Sequence, residues 1–250
     1  MQELIERARI LRIQICDLAR KGHGYHFGGT FSCVEILVTL YKKILQINDK
    51  FLLGKGHAVL ALYPLLQDCG YDPQINDHPF MDCSNGIFCT SGSLGLSLPF
   101  GTGMALAKKL QNKKGRIFVL LGEAECQEGT TWESLLIASQ HKLDNLIVII
   151  DKNNYQGSGC VDDILSLGNL EEKLRSFGCY VKNVNGHSHN ELLEAYNGLE
   201  HNKCNAIIAH TIKGKGAKIM EKDPASWHGK FPTEEQFREI YSDLGENYEK

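Results

Sequence analysis

The fold is decided by residues 116–151, RIFVLLGEAECQEGTTWESLLIASQHKLDNLIVIID. Two short runs in this stretch, 116–121 and 146–151, are almost entirely apolar, which is typical of strands buried on both faces of a sheet. The residues between them, 128–141, have the length and pattern of a helix. A strand–helix–strand unit of this kind predicts two parallel strands whose carboxyl ends meet at one edge of a sheet.

The flanking sequence extends this unit to an α/β fold. An apolar run at 205–211, preceded by a helical stretch at 189–200, predicts a third strand. Further helices are predicted over 2–21, 32–47, 56–70, 96–110 and 233–243, with a loop over 71–95. Ser32 and Glu35 have the spacing of a capping box, and Gly70 ends the third helix. We therefore expect one α/β domain with a mostly parallel sheet and helices on both faces.

By pattern, the chain has a helix-rich part (1–110), a βαβ core (111–215) and a polar C-terminal cover or tail (216–250).

Composition and charge exclude several classes of function. The chain's 250 residues are 42% hydrophobic, and the net charge of −3 gives no support to nucleic-acid binding. No apolar run approaches the roughly 18–20 residues that span a bilayer. Nine cysteines without metal-site spacing predict reduced thiols, so we expect a cytoplasmic protein with no membrane partner.

Two oxygen-bearing side chains follow the two strands of the deciding stretch. Glu123 comes just after the first strand, and Asn153 comes just after the second. Carboxylate and carboxamide oxygens are hard ligands that suit Mg²⁺ or Ca²⁺, and Mg²⁺ usually completes its shell with water and phosphate oxygens. Loop acids and turn-forming asparagines are also common for structural reasons. The spacing alone therefore leaves a metal–phosphate site and an ordinary loop both open.

The same stretch resembles the thiamine diphosphate motif of the transketolase family. In that family Gly-Asp-Gly-Glu is followed by a Glu-Gly pair, a Trp-Glu pair and a later Asn. The matching residues here are Gly122, Glu123, Ala124, Glu125, Glu128, Gly129, Trp132, Glu133 and Asn153. The resemblance implies that Gly122 to Glu125 contact the cofactor. It also implies a metal bound by Glu123, Asn153 and the main-chain carbonyl of Tyr155.

Two positions depart from that motif. The family's Asp is Glu123 here, and its second Gly is Ala124. Because Glu is one methylene longer and Mg²⁺ requires near-ideal geometry, we expect a shifted loop or a preference for Ca²⁺. Ala disfavours positive φ, so weaker cofactor binding, or binding only in the presence of the partner, is a further expectation.

Four histidines lie in other segments that resemble the family. His26 begins HFGGTFSC, and His57 lies in GKGHAV, where the family has Ser-Lys-Gly-His. His78 lies in NDHPF (76–80), and His228 lies near the end of the segment 210–232. The resemblance implies that all four contact the substrate or the cofactor, with His57 and His228 near the cofactor. Taken singly, each histidine is also compatible with a solvated or structural position.

Two glycine-rich segments complete the comparison. CTSGSLGLSL (89–98) resembles the family loop that lies along the aminopyrimidine ring, which implies main-chain contacts from Gly92, Ser93 and Leu94. Leu96 and Ser97 replace the family's Gln and Gly in this loop. The Lys-Gly-Lys-Gly run at 213–216 is interpreted either as a mobile cover over the site or as a solvated basic turn.

These matches follow one another in the family's order over nearly the whole chain, which is thus similar to the N-terminal half of a split transketolase. The resemblance implies the thiamine diphosphate-binding fold, with thiamine diphosphate and Mg²⁺ or Ca²⁺ as cofactors. It also implies transfer of a two-carbon ketol unit from a ketose to an aldose. The histidines would bind or protonate oxygens of the sugar or sugar-phosphate substrates, and Glu128 would link one active site to its twin. The family's pyrimidine-binding domain would come from a C-terminal partner subunit in an α₂β₂ heterotetramer.

Other functions remain open at this stage. One is half of a different thiamine diphosphate enzyme, such as the α chain of a 2-oxo acid dehydrogenase or a deoxyxylulose-phosphate synthase-like protein. The four histidines and the Trp132-Glu133 pair favour transketolase over these. A second is a degenerate, non-catalytic subunit with a scaffold or regulatory role, which the substitutions at Glu123, Ala124, Leu96 and Ser97 motivate. A third is a specialised acceptor such as an unusual or nucleotide-linked sugar.

Overall fold

A five-stranded parallel sheet organises the chain in this computed structural model, which describes residues 1–22, 24 and 26–248. The strands are β1 (Lys50–Leu53), β2 (Ile117–Gly122), β3 (Leu146–Lys152), β4 (Tyr180–Asn185) and β5 (Asn205–His210). Their order across the sheet is β1-β2-β3-β5-β4, and each neighbouring pair is parallel. The predicted α/β fold is confirmed. Of the predicted tail 216–250, the last two positions lie outside the described residues.

The three predicted strands are confirmed as β2, β3 and β5, and two strands were missed. β1 has only four residues, KFLL, which is too short for a periodic signal. The sequence of β4 is YVKNVN, and its buried and exposed positions are mixed because it forms an edge of the sheet. Both missed strands are placed by pairing with a stronger neighbour, β1 with β2 and β4 with β5.

Helices occupy the segments between the strands. Their bounds are α1 (Gln2–Arg20), α2 (Phe27–Ser32), α3 (Val34–Thr39), α4 (Tyr63–Asp68), α5 (Ser97–Leu110), α6 (Gly129–Gln140), α7 (Val161–Leu165), α8 (Leu170–Ser176), α9 (His189–Asn197), α10 (Lys218–Lys222) and α11 (Glu234–Asp243). The predicted helices at 2–21, 96–110, 128–141, 189–200 and 233–243 are confirmed within a few residues. The predicted helix at 56–70 is a 3-10 turn followed by α4, and Gly70 with φ +84° follows its end.

The predicted helix over 32–47 is confirmed for residues 34–44, but its predicted start at Ser32 is wrong. The helical path is interrupted at Cys33 (φ −98°, ψ 9°), so that α2 and α3 are separate and α3 continues into a π turn at Leu40–Ile44. Ser32 caps nothing, because its hydroxyl donates to the Asp151 carboxylate at 2.6 Å. Glu35 instead accepts from Arg12 across the core. Tertiary polar contacts have taken both members of the expected capping box.

Both faces of the sheet are buried, as the apolar strands predict. On one face Phe118, Leu120 and Ile149 pack against the N-terminal helices, and on the other Val119 and Val148 pack under α5 and α6. A fully buried side chain of this kind stabilises the fold by about 1.5–3 kcal/mol. Within the described residues, no helix is long and apolar enough to cross a membrane.

Candidate functional site

A cavity of about 420 Å³ lies beyond the carboxyl ends of β2 and β3. This is where open parallel sheets bind ligands. The register pairs Gly122 with Asp151, so the loops after the two strands leave the sheet side by side. All but one of the predicted site residues line the cavity: His26, His57, His78, Gly92, Leu94, Gly122, Glu123, Ala124, Glu125, Glu128, Asn153, Tyr155 and His228. The exception is Ser93, which is exposed to solvent outside it.

Glu123 sits at the cavity wall with both carboxylate oxygens engaged. Its Oε2 accepts the main-chain N–H of Asn154 at 2.7 Å, and its Oε1 lies 2.8 Å from the Nζ of Lys152. Lys152 also donates to the Asn154 carboxamide at 2.7 Å. The Glu123 side chain is only 4% exposed, whereas that of Lys152 is 24% exposed. An internal ammonium therefore neutralises the acid that the sequence marks as a metal ligand.

Asn153 completes the predicted pair on the next strand. Its Oδ1 accepts the main-chain N–H of Tyr155 at 3.1 Å, and its Nδ2 contacts Asp151 at 3.3 Å. These contacts fix which end of the carboxamide carries the oxygen and orient it toward the Tyr155 turn. The structure therefore brings the three expected ligand residues together in the wall of one cavity.

The donor set fits a hard divalent cation. One carboxylate, one carboxamide and one main-chain carbonyl supply oxygens only, and the remaining positions suit water and phosphate oxygens. In the described part of the chain, no group of three or more His, Cys, Asp or Glu side chains is arranged to hold a metal ion by itself. Glu123 retains lone pairs beside the Asn154 hydrogen bond, but the ammonium of Lys152 opposes a cation at this carboxylate.

Ala124 introduces no backbone strain. It begins a 3-10 turn (Ala124–Gln127) and has a negative φ, so the methyl group is compatible with the local conformation. The turn leads into α6, whose N-cap is Glu128, an exposed residue on the cavity rim. The expected conflict between Ala124 and a positive φ is therefore absent.

The four histidines meet at one side of the cavity. The His26 ring centroid lies 5.3 Å from that of His57, 5.0 Å from that of His228 and 6.1 Å from that of His78. Gly29 permits this approach, because a Cβ there would lie 2.8 Å from His57 Nε2. Any larger residue at that position would therefore displace the imidazole.

Burial and neighbouring cations keep several of these histidines uncharged. Desolvation, followed by the nearby Lys55, lowers the pKa of His57 well below 6.5. Desolvation and then Lys213 lower the pKa of His228 to about 4. Desolvation also lowers the pKa of His26, although its bond to the His228 carbonyl opposes this. Because a carbonyl oxygen only accepts, His26 Nδ1 carries the proton in that bond and its Nε2 is the basic nitrogen.

Under the cavity, a buried ion pair connects β1 to β3. The Lys55 ammonium contacts the Asp151 carboxylate and donates to the Gly29 carbonyl at 2.7 Å. Ser32 and Thr211 also donate to Asp151. Burial alone raises the pKa of Asp151, but the Lys55 charge reverses this and lowers it. This network fixes the strand ends that precede Asn153 and His57.

Glu125, the last residue of the Gly122–Glu125 motif, is held by main-chain N–H groups rather than by a lysine. Glu125 is 1% exposed and accepts the main-chain N–H groups of Gly95 at 3.0 Å and Gly122 at 3.3 Å. Burial raises its pKa to about 7, against the effect of these hydrogen bonds. Glu125 thereby ties the glycine loop that contains Gly92 and Leu94 to the end of β2.

Lys213 projects from the segment after β5 into the same cavity. It is 2% exposed, and its Nζ donates to the Gln156 carbonyl at 3.1 Å. Desolvation and the nearby Lys55 lower its pKa from 10.5 to about 8. The interpretation of this lysine as part of a solvated turn is therefore wrong, whereas Lys215, two residues on, is 37% exposed.

Several lining residues were missed at the level of sequence. Lys55, Gln127 and Gln156 line the cavity, and Asp151 lies buried beneath it. Lys55 stands two residues before His57 in a segment already singled out, and Asp151 ends an apolar strand, so both carried a usable signal. The glutamines carried none, because polar loop residues are common.

Comparison with known proteins gives a consistent result. The family model described as transketolase, thiamine diphosphate binding domain, matches residues 1–250. The chain is 32% identical to one of the subunits of the apulose-4-phosphate transketolase of Phocaeicola vulgatus, over 96% of this chain and 92% of that protein. It is also 32% identical to the 6-deoxy-6-sulfo-D-fructose transketolase subunit SqwG of a Clostridium species, over 97% of this chain and 96% of that protein.

The fold matches solved structures as well. The crystal structure of transketolase from Campylobacter jejuni superposes with a TM-score of 0.87 and 29% sequence identity. The match covers 99% of this chain and 43% of that chain. The present chain thus spans less than half the length of that transketolase, but nearly the full length of the two subunits named above.

Proposed function

We propose that this chain, which belongs to the transketolase thiamine diphosphate-binding domain family, is the cofactor-binding half of a split transketolase. The observation that carries the proposal is the single cavity at the ends of β2 and β3. It combines a hard-oxygen pair, a buried lysine and four clustered histidines. The relatives that this chain matches over nearly their full length are named as subunits of transketolases, which supports division of the enzyme between two chains.

The cavity offers a separate place for each part of the cofactor. We assign the metal to Glu123, Asn153 and the Tyr155 carbonyl, and Mg²⁺ or Ca²⁺ is the cation that such oxygens suit. Lys213 is positioned to pair with diphosphate oxygens, because its buried ammonium has only a carbonyl as hydrogen-bond acceptor among the described residues. His57 and His228 flank this region and contact the cofactor in the proposal.

The remaining cofactor contacts lie at the motif and at the glycine loop. Gly122, Ala124 and Glu125 line the diphosphate side of the cavity. Gly92 and Leu94 also line it, and with Ser93 they are assigned to the aminopyrimidine. Bound thiamine diphosphate supplies the nucleophilic carbon that cleaves and re-forms a bond beside a ketose carbonyl.

The residues of this chain bind sugar oxygens and move protons. His57 and His228 are held neutral at pH 7, so each ring offers one N–H donor and one acceptor nitrogen to sugar oxygens without carrying a charge. The Nδ1 proton of His26 is held by the His228 carbonyl, and we assign this imidazole to contacts with the substrate or the cofactor. His78 lies at the outer side of this group and is assigned to hydroxyls of the donor sugar.

The substrate class follows from the relatives' names. One relative is named for a sugar 4-phosphate and the other for a 6-sulfo sugar, and both sugars carry an anionic group. We propose transfer of a two-carbon ketol unit between sugars or sugar phosphates. Nine free cysteines support a reducing compartment, and we propose the cytoplasm.

The site also requires a partner. We propose that a C-terminal, pyrimidine-domain subunit closes the cavity and supplies the acid that activates the cofactor, in an α₂β₂ heterotetramer. Glu128 stands exposed on the cavity rim at the start of α6, a position from which it reaches a partner rather than the chain's own core. This supports its role in linking paired active sites.

The test is reconstitution with the candidate partner subunit. Two-carbon transfer from a ketose donor is measured against decarboxylation of a 2-oxo acid, with each of the two chains by itself as a control. We expect ketol transfer only from the complex, dependent on thiamine diphosphate and a divalent cation. Glu123→Ala should abolish metal-dependent cofactor binding, and unchanged binding would remove Glu123 from the site. Activity of this chain alone at enzyme-like rates would contradict the split arrangement.

The Lys152–Glu123 contact favours one second candidate, a non-catalytic subunit. An ammonium 2.8 Å from the metal-ligand carboxylate reduces the attraction for a divalent cation. Titration of thiamine diphosphate with Mg²⁺ or Ca²⁺ into the complex discriminates between the two functions. Absence of binding at millimolar cofactor would count against the enzymatic function and favour the non-catalytic one.

A further inference from the structure

Three charged or polar side chains meet behind the cavity and outside its lining. Arg12 from α1 forms two hydrogen bonds with the Glu35 carboxylate from α3, at 2.7 and 2.9 Å. His187, which lies between β4 and α9, contacts Oε2 of the same carboxylate at 2.9 Å, an oxygen that it shares with Arg12. Burial alone raises the pKa of Glu35, but Arg12 and His187 together hold it at about 2. A permanent carboxylate thus joins three elements of the fold.

This cluster forms hydrogen bonds with the backbone on both sides of Lys213. His187 Nε2 accepts the main-chain N–H of Ile212 at 2.8 Å. Arg12 Nε donates to the Lys215 carbonyl at 2.7 Å. Between them, the N–H of Gly214 donates to the Gly28 carbonyl at 2.9 Å. The three residues that neighbour Lys213 most closely are therefore each fixed by a hydrogen bond.

The imidazole of His187 links the Glu35 carboxylate to the backbone of Ile212, and these two hydrogen bonds decide which ring nitrogen carries the proton. Because Nε2 accepts an N–H, the ring proton resides on Nδ1 and points at the Glu35 carboxylate. Glu35 thus selects the tautomer, and the tautomer provides the acceptor for Ile212. Holding an ammonium away from water is unfavourable, so the segment that carries Lys213 requires anchors of this kind.

We propose that His187 and Arg12 are positioning residues that hold Lys213 in the cavity for an anionic ligand. They touch neither the cavity nor its contents, and they act through the backbone of residues 212–215. The identification of that anion as a diphosphate rests on the function proposed above. The anchoring itself does not, because it is defined by hydrogen bonds within this chain.

Two nearly isosteric substitutions separate the two bonds of the imidazole. His187→Gln places an amide oxygen near the Nε2 position and can still accept the Ile212 N–H. His187→Asn places its amide near the Nδ1 position, so it keeps the contact with Glu35 and loses Ile212. Hydrogen exchange of the Ile212 amide in the full chain reports the anchor directly. We expect exchange at least tenfold faster in His187→Asn and close to wild type in His187→Gln.

Binding supplies the second readout. Inorganic diphosphate with Mg²⁺ is titrated into the full chain by calorimetry. We expect about tenfold weaker binding for His187→Asn and less than threefold for His187→Gln. Since His187 acts through the lysine, His187→Asn should weaken binding no further when it is added to Lys213→Met. If His187 had only a structural role, His187→Asn would weaken diphosphate binding equally in the wild-type chain and in Lys213→Met.

Each outcome decides a different point. If wild type fails to bind diphosphate both alone and in complex with the candidate partner subunit, the proposed function fails, while amide exchange still tests the anchor. If wild type binds and the two His187 variants behave alike in exchange and affinity, the positioning role is overturned. Should His187→Asn not fold, Arg12→Lys replaces it, because lysine keeps the charge beside Glu35 but cannot also reach the Lys215 carbonyl. Unchanged exchange across 212–215 in that variant would equally refute the proposal.

Discussion

Lys213→Met should make the chain more stable and less able to bind its ligand. The ammonium of Lys213 is 2% exposed, and its burial lowers its pKa from 10.5 to about 8. That fall corresponds to about 3 kcal/mol of unfavourable free energy at pH 7. Removing the lysine also leaves the Gln156 carbonyl without its donor, which costs about 1 kcal/mol. The expected net gain in the free energy of unfolding is about 2 kcal/mol.

Thermal and urea unfolding measure this gain. For a chain of this size, about 2 kcal/mol raises the melting temperature by about 4–8 °C. The gain should depend on pH. Below pH 8, both the folded and the unfolded wild-type chain hold the lysine proton, and the full penalty applies. Between pH 8 and 10.5 the folded state loses that proton first, so wild-type stability rises and the advantage of the variant disappears.

Calorimetry measures the other half of the prediction. Loss of a charge-assisted hydrogen bond should weaken diphosphate binding about 10- to 100-fold. Lys215→Met is the matched control, since Lys215 belongs to the same run, is 37% exposed and pairs only distantly with Glu221 at 3.8 Å. We expect little change in stability or affinity for this control. A destabilised Lys213→Met, or one that binds diphosphate like wild type, would refute the reasoning.

Two further predictions concern ion pairs. Lys152→Met should free the Glu123 carboxylate. Because charges about 4 Å apart interact by about 1 to 4 kcal/mol between bulk water and a protein surface, we expect Mn²⁺ binding at least about fivefold tighter in a titration followed by electron paramagnetic resonance. Equal affinities would show that the ammonium does not compete. Glu35→Gln should lower the free energy of unfolding by about 3 kcal/mol in urea, since it leaves the Arg12 charge buried and unpaired. The Glu35 carboxylate stabilises the wild-type fold above pH 4.5, and this stabilisation is lost as the pH falls toward 2. The free energy of unfolding of Glu35→Gln should therefore not show this decrease between pH 4.5 and 2. A decrease of the same size in the variant would contradict the assigned pKa.

Prediction from sequence succeeded where the signal is local and periodic. The apolar runs of β2, β3 and β5 identified the centre of the sheet, and amphipathic periods identified α1, α5, α6 and α11. Prediction failed where a tertiary contact outweighs a local preference. Ser32 and Glu35 have the spacing of a capping box, but stronger partners, Asp151 and Arg12, lie across the core.

The candidate site shows the same division. Ordered motifs were sufficient to name thirteen residues that line one cavity, although they are spread from His26 to His228. The motifs did not predict which of those residues form ion pairs or hydrogen bonds within the chain. Lys152 belongs to no motif, yet it neutralises Glu123 through a contact that depends on the pairing of β2 and β3.

The sequence by itself determined the family, the parallel sheet and the chemical types at the site, because these follow from patterns along the chain. Only the tertiary structure decided which charges are solvated. Lys213 and Lys215 stand two residues apart in one glycine-rich run, and one is buried while the other is partly exposed. The burial of Lys213 depends on residues distant in sequence. His187, Gly28 and Arg12 form hydrogen bonds with the backbone of residues 212–215, and in this segment the side chain of Lys213 enters the cavity whereas that of Lys215 does not.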